Sequence, residues 1–522
     1  MLPKKVGFLG FRIAVAAVLF SLLAVSAAYS DIPPRPGVKW PKGVRERMQT
    51  FNFQRSYVKT VQRIQLNRAR LKEGRITRAA AQAAGGTLVA GSKSIPVLLV
   101  KFHNTETDPY PTANLQQELF DGPWPTGTMT DYYRQVSYNQ FTLTGKVYAW
   151  QTVAQNDTYY EGGCNGVCDG AKTGDFLREA LALHDGTVDF SQYDNDGPDG
   201  VANSGDDDGY VDFVAFVHPE SGGECGTGNI WSHRWVYSGW TGSAYETNDA
   251  RSGGGKIKVD DYVIMPAFGC GGSTMIEIGV FTHEFGHAFG LPDLYDTDST
   301  NGDSEGVGGW CLMASGSWGG DGTSPEKPTH MCAWAKSFLG WLTPTDVTAD
   351  LLPASIPNIE ENATAYRVPI SDSQYLLVSS RQQKGFDEKL PGAGILIWHI
   401  NETVINSGLA SNRVNADETN KGVDVEEADG KSDLDNCVNR GDGGDLFPGT
   451  ARKRSFDNST YPASSGTTAV CNVSDVAEPM KADLKISTGK CVPDLSILGL
   501  LLLLACVLLY ELARKRPVST KE

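Results

Sequence analysis

The sequence predicts an α+β chain that closes in a membrane helix. Three observations carry that reading. Residues 93–343 alternate between strand-like and helix-like hydrophobic periods. Residues 344–490 hold short strand-like runs set apart by turn residues, as a β-rich second domain would. Residues 495–510 are apolar and carry no charge.

In chain order, residues 1–28 read as a secretory signal peptide: Lys4 and Lys5, an apolar stretch over 13–24, then Ser26, Ala27 and Ala28. Residues 29–92 form a basic leader in which the only acids are Asp31, Glu46 and Glu73, on a chain of net charge −16. A basic leader on an acidic body suggests a prosegment held partly by Coulomb attraction, with helical patches over 57–71 and a cutting place in the Ala/Gly-rich linker 79–91. No nucleic-acid partner is expected for it. The body begins with a buried strand at 94–102, then a helix at 128–136, a strand at 141–149, an amphipathic helix at 173–184 and a strand at 210–217. A helix at 329–339 closes this region, and strands follow at 365–368, 375–381, 394–400 and 467–473. Residues 495–513 are expected to cross the membrane, with 514–522 and their Arg514-Lys515-Arg516 cluster as a cytoplasmic tail. A sorting tail removed after export has the same layout.

The chemistry concentrates in HEFGHAFGLPD, residues 283–293. Positions i and i+4 of a helix share a face, so His283 and His287 can grip one ion. Glu284 is placed as general base on a metal-activated water. Thr274 and Glu277 have capping-box spacing for the start of this helix. Gly290 and Pro292 stop it. The turn can return Asp293 as a third ligand, leaving one tetrahedral position open for water on Zn2+. Farther on, WCLMASG (310–316) reads as a tight turn carrying Met313, similar to the Met-turn of metzincin-type peptidases.

HEFGHAFGLPDLYD, WCLMASGSWGG and AWAKSFLGWL together resemble the immune inhibitor A family of secreted metallopeptidases. SIPVLLVKFHN, MTDYYRQVSYNQFTLTG, FSQYDNDG, GILIWHIN and VEEADG extend the likeness across most of residues 94–460. The resemblance implies a metzincin-like catalytic domain over 93–343, with a twisted mixed sheet and the active-site helix beneath it. It implies a zinc endopeptidase acting on protein or peptide substrates outside the cell, made with an inhibitory prosegment. By motif position His283, His287 and Asp293 would be zinc ligands, Glu284 the base and Met313 the turn methionine. The wider metzincins have a third histidine where this chain has Asp293. Tyr295 and Asp296 follow closely enough to support the ligands. His233 or a tyrosine is a candidate to help at the carbonyl oxygen. The remaining histidines have no ligand spacing.

Two acidic stretches, YDNDGPDG and GDDDGYVD, offer Asp194, Asp196, Asp199, Asp206, Asp208 and Asp212. Hard oxygen donors among glycines suit Ca2+. Asp429, Asp435, Asp442 and Asp445 form a second such set. Ten cysteines in an exported chain suggest disulfides. Cys506 lies in the apolar tail; proximity pairs Cys164 with Cys168, Cys225 with Cys270, Cys311 with Cys332 and Cys437 with Cys471, leaving Cys491 over. No cysteine lies in the leader, which excludes inhibition by a prosegment thiol. Two other functions fit a metal site: a zinc amidase acting on cell-wall amides, and a surface binding protein that keeps its metal for stability alone. The second has no need of Glu284.

Overall fold

The computed structural model describes residues 30–41, 44–45 and 89–491, apart from 169, 198, 299, 461 and 462. The signal peptide, the expected prosegment helix at 57–71 and the apolar run at 495–513 lie outside the described residues.

The first half is built on a six-stranded mixed sheet of order β1-β5-β8-β4-β2-β3. Its strands are β1 (Ser30–Asp31), β2 (Gly91–Lys101), β3 (Phe141–Thr152), β4 (Val214–Ser221), β5 (His233–Val236) and β8 (Asp261–Phe268). β3, β2, β4 and β8 run parallel, β5 is antiparallel to β8, and β1 is antiparallel to β5. Strands buried on both faces read as continuous apolar runs, as in PVLLV of β2. Alternate residues serve opposite faces. Val97, Leu99, Val217 and Met265 pack with α1 (Met129–Val136) and α3 (Ile278–Ala288), whereas Leu98, Val100, Phe216 and Ile264 pack with α2 (Thr173–His184). α1 starts on a true capping box, Thr128 with Asp131. The two-stranded ribbon β6 (Tyr245–Ala250) and β7 (Lys256–Val259) stands apart from this sheet.

The expected start of α3 is corrected. Its N-cap is Glu277, which makes no side-chain cap bond. Thr274 belongs instead to a tight return after β8: the Gly269 N–H bonds the Thr274 carbonyl and the Ile276 N–H bonds the Ala267 carbonyl. The helix ends as read, with Gly290 at φ +94°. The helix expected over 329–339 shortens to α4 (Ala333–Phe338), because Thr329 and His330 are drawn into backbone bonds with Gly316 and Leu312.

The second half carries two sheets. One, of order β14-β13-β12-β11-β9, comprises β9 (Thr345–Asp346), β11 (Tyr366–Pro369), β12 (Gln374–Arg381), β13 (Gly394–Asn401) and β14 (Val423–Val425). The other holds β10 (Leu351–Ile356), β15 (Ala469–Cys471) and β16 (Met480–Lys485). Leu377, Leu396 and Trp398 on one face of the five-stranded sheet join the core beneath α3. Leu376, Val378 and Ile397 on its other face pack against Ile356, Ala482 and Leu484 of the smaller sheet.

The membrane helix of the expected fold class is not among the elements the structure describes, its run at 495–513 lying outside the described residues. Among the described residues no helix is long and apolar enough to cross a membrane. The cysteine pairing is corrected as well. Cys164–Cys168 and Cys225–Cys270 form as expected, but the third disulfide among the described residues is Cys471–Cys491, which ties Cys491 to β15. Cys311 and Cys332 are buried free thiols, and the Cys332 N–H donates to the Cys311 Sγ at 3.2 Å. Cys437 is an exposed free thiol. Partial burial of the sulfur first, then the acidic neighbours Glu305 and Asp303, raise it to about 11.

Candidate metal centre

α3 presents His283 and His287 one turn apart, both fully buried. Each ring is oriented from behind. His283 Nδ1 lies 2.8 Å from the Leu312 carbonyl and His287 Nδ1 lies 2.9 Å from the Leu291 carbonyl. A carbonyl can only accept, so each Nδ1 carries the proton and each Nε2 turns a lone pair inward. Gly290 bends the chain so that Asp293 comes back to the helix. Three atoms then face one point: the two Nε2 atoms are 3.0 Å apart, and Asp293 Oδ1 is 3.3 Å from His283 Nε2 and 3.2 Å from His287 Nε2.

This donor set fits a zinc ion. Tetrahedral bonds of about 2.0–2.1 Å put neighbouring donors roughly 3.3–3.4 Å apart. Two imidazole lone pairs at 3.0 Å repel each other unless a cation lies between them. Asp293 Oδ1 is buried and has no hydrogen-bond partner. Burial alone would raise the Asp293 carboxyl, and positive charge at His287 and His283 is what would hold it below its ordinary value. The other oxygen is fixed by the second half of the chain: Asn412 Nδ2 donates to Asp293 Oδ2 at 2.6 Å, and the Asp293 N–H donates to Asn412 Oδ1 at 2.7 Å. Asn412 sits at φ +54°, a conformation that asparagine tolerates, and presents its whole amide to the aspartate.

Glu284 is fully buried beside this triangle. Burial first, then Asp31, Asp293 and Glu224, raise its carboxyl well above the ordinary range. The Ile32 N–H lies within reach and opposes that rise, though neither Glu284 oxygen completes a well-aligned hydrogen bond. Met313 lies under the helix: a Cβ added at Gly286 would run into its Sδ. Its carbonyl accepts the Leu294 N–H at 2.8 Å, which ties this turn to the loop that carries Asp293.

The leader enters this site. β1 adds to the free edge of β5, pairing Asp31 with His233. The Asp31 carbonyl oxygen is 3.2 Å from His283 Nε2 and accepts the Tyr295 hydroxyl at 2.8 Å. The Asp31 carboxyl is buried, with one oxygen unpartnered. Farther along, Trp231 Nε1 bonds the Ile32 carbonyl, Trp318 Nε1 the Pro33 carbonyl and Arg440 the Pro34 carbonyl. Trp40 stacks on Trp231 at 5.0 Å, and Arg45 pairs with Asp296 and Asp303. Beside the cleft lies a cavity of about 410 Å³ walled by Phe268, Val280, Trp318 and Pro325, with Arg35 and Pro36 at its side.

Of the candidate residues, His283, Glu284, His287, Asp293, Met313 and Tyr295 are together. Asp296 stands off, held by Arg45. His233 is spent within β5, its nitrogens on the Trp231 carbonyl and the Tyr262 hydroxyl. In the acidic loop Asp194, Asp196 and Asp212 converge, with Asp194 Oδ1 buried and unpartnered. Asp199, Asp206 and Asp208 bond loop amides and Ser204 instead. In the later set Glu427, Asp429 and Asp445 converge, while Asp435 pairs with Lys421. Glu427 already accepts the Asp433 and Leu434 N–H groups. Asn412 had no signal in the sequence. The approach of the leader had one: DIPPRP favours an extended segment able to lie along a strand edge.

The triangle, its neighbouring carboxyl and the sheet edge beside them have the form of a metal-dependent peptidase site. Residues 114–342 match the family model for the immune inhibitor A peptidase M6 catalytic domain. A segment of 250 residues, 44% of this chain, is 32% identical to the pre-pro-metalloprotease PrtV of Vibrio cholerae serotype O1. Another of 218 residues, 38% of the chain, is 35% identical to immune inhibitor A of Bacillus thuringiensis subsp. alesti. The matched parts span 26% and 30% of those two proteins.

Proposed function

We propose that the protein is an exported zinc endopeptidase whose own leader occupies its cleft until it is removed. The observation that carries this is the triangle of His283 Nε2, His287 Nε2 and Asp293 Oδ1 with Glu284 buried at its side. A zinc ion held by these three residues would supply Lewis-acid activation of water and of the scissile carbonyl. Glu284 takes the proton of the attacking water and returns it to the leaving amine. Asn412 keeps Asp293 in position, and the Leu312 and Leu291 carbonyls keep both imidazoles in the right tautomer. The free edge of β5 binds substrate main chain by strand addition, in the place the leader takes. The cavity beside Val280 and Trp318 receives a substrate side chain.

Residues 29–92 act as the inhibitory prosegment, 93–343 as the catalytic unit and 344–490 as a β-rich unit that braces it. The name pre-pro-metalloprotease of the Vibrio relative fits a removable leader. Three disulfides fit an exported chain. Asp194, Asp196 and Asp212 form a calcium site that fixes the acidic loop, the unpartnered Asp194 oxygen being one ligand.

The test is casein or peptide digestion by the exported protein, with a chelator control and Glu284→Gln beside wild type. Digestion should stop with the chelator, return with zinc, and fall by roughly 10²–10⁴ in the variant. Unchanged digestion by Glu284→Gln would contradict the assigned mechanism.

A further inference from the structure

The leader does more than cover the cleft; it displays the register of a bound substrate. β1 lies along β5 in the antiparallel sense, and at its end one peptide unit, Asp31–Ile32, spans the site. Its carbonyl oxygen points to His283 Nε2 at 3.2 Å and receives the Tyr295 hydroxyl at 2.8 Å. The N–H of the same unit lies on the Glu284 side. The following carbonyls, of Ile32 and Pro33, are held by the indoles of Trp231 and Trp318 at 3.0 and 2.9 Å. A carbonyl facing the donor triangle and an amide nitrogen facing the general base are what hydrolysis requires of a scissile bond.

We propose that Tyr295 is a catalytic residue that donates its hydroxyl hydrogen bond to the scissile carbonyl oxygen. The assignment rests on the peptidase reading above. During the reaction water oxygen bonds to the carbonyl carbon and its proton passes to Glu284. Negative charge grows on the carbonyl oxygen, and the Tyr295 O–H, already aimed at it, strengthens its bond without losing its proton. The C–N bond then breaks and the nitrogen takes the proton from Glu284. Tyr295 is pre-positioned for this. It follows Asp293 by two residues, is nearly fully buried, and its ring lies 6.1 Å from that of Trp40, which stacks on Trp231. The same hydroxyl also reaches the Asp31 carboxyl at 3.0 Å, so the leader engages it twice. A donor prepositioned on a developing oxyanion is worth about 10²–10³ in kcat.

The experiment compares the exported protein as wild type, Glu284→Gln and Tyr295→Phe, the leader of each having been removed by the same added protease at the 79–91 linker. Readouts are kcat and KM on a quenched fluorescent peptide, zinc per chain, and affinity for a phosphinic peptide that mimics the tetrahedral state. Tyr295→Phe should lower kcat roughly 10²–10³-fold with KM within about threefold, keep its zinc, and weaken the phosphinic peptide far more than a ground-state peptide. A kcat within about threefold of wild type, or a loss traced to missing zinc, overturns the assignment of Tyr295. Full turnover by Glu284→Gln instead brings down the peptidase mechanism beneath it. Independently of any variant, a synthetic peptide of residues 29–40 should compete with substrate on the wild-type enzyme. Absent or noncompetitive inhibition removes the substrate-like register.

Discussion

Asn412 places an amide from the second half of the chain against a carboxylate 119 residues earlier in sequence. Removing it leaves Asp293 Oδ2 without that donor and lets the carboxylate rotate. Asn412→Ala should weaken zinc binding about 10–100-fold with little change in fold, read by competition against a chromophoric chelator. Gly286 makes a different demand. Met313 fills the space where a side chain would begin, so Gly286→Ala should cost about 1–3 kcal/mol in a urea titration. The motif residues were legible because their chemistry is local: five residues of helix, one glycine and one aspartate fix a ligand triangle. Asn412 and the Asp31 carbonyl were not, since partners that meet only after folding leave no spacing to read. Cys311 and Cys332 show the reverse error, for nearness did not make a bond.

Among the elements, α3 was read correctly in its body and end but not at its start. Thr274 and Glu277 have the right spacing, yet the return after β8 claims the Thr274 carbonyl, and the Glu277 carboxyl interacts with Glu118. Glu118, buried and repelled by Glu277, is raised to about 9. The acidic loop gives a pH prediction. Burial first, then Asp207 and the neighbouring aspartates, raise Asp194 from 3.8 to about 7. Burial raises Asp212 to about 7 as well, Asp196 adding to it and Lys93 opposing. Between those limits the folded loop holds more protons than the unfolded chain, so calcium-free stability from these groups is full below about pH 4 and is lost as pH rises through 7. Calcium should reverse the loss. Melting temperatures in calcium-stripped buffer with and without added calcium, at one fixed zinc concentration, should diverge above pH 7 and converge at pH 5. Equal curves at pH 8 would argue against an ion in this loop.

At the scale of the whole molecule, two sheets and the helices between them converge on one cleft, and the leader adds a strand to it. β5, β8 and β16 were missed, but the α+β class and strands such as β2, β3, β12 and β13 could be read from hydrophobic periods, because burial imposes those periods directly. The sheet order could not, nor could the fact that the five-stranded sheet shares a core with α3, because both depend on pairings between distant segments. The leader is held by stacking as well as by strand pairing. Trp40→Ala should therefore loosen it, raising the activity of the unprocessed chain roughly 2- to 10-fold if the stack on Trp231 contributes about 0.5–1.5 kcal/mol. The central claim is that one zinc ion sits between His283, His287 and Asp293. Metal analysis of the purified protein, beside His287→Ala, tests it most directly. The account expects one zinc per wild-type chain and a large loss in the variant; a wild-type protein that takes up no zinc, or a variant that keeps it undiminished, would contradict it.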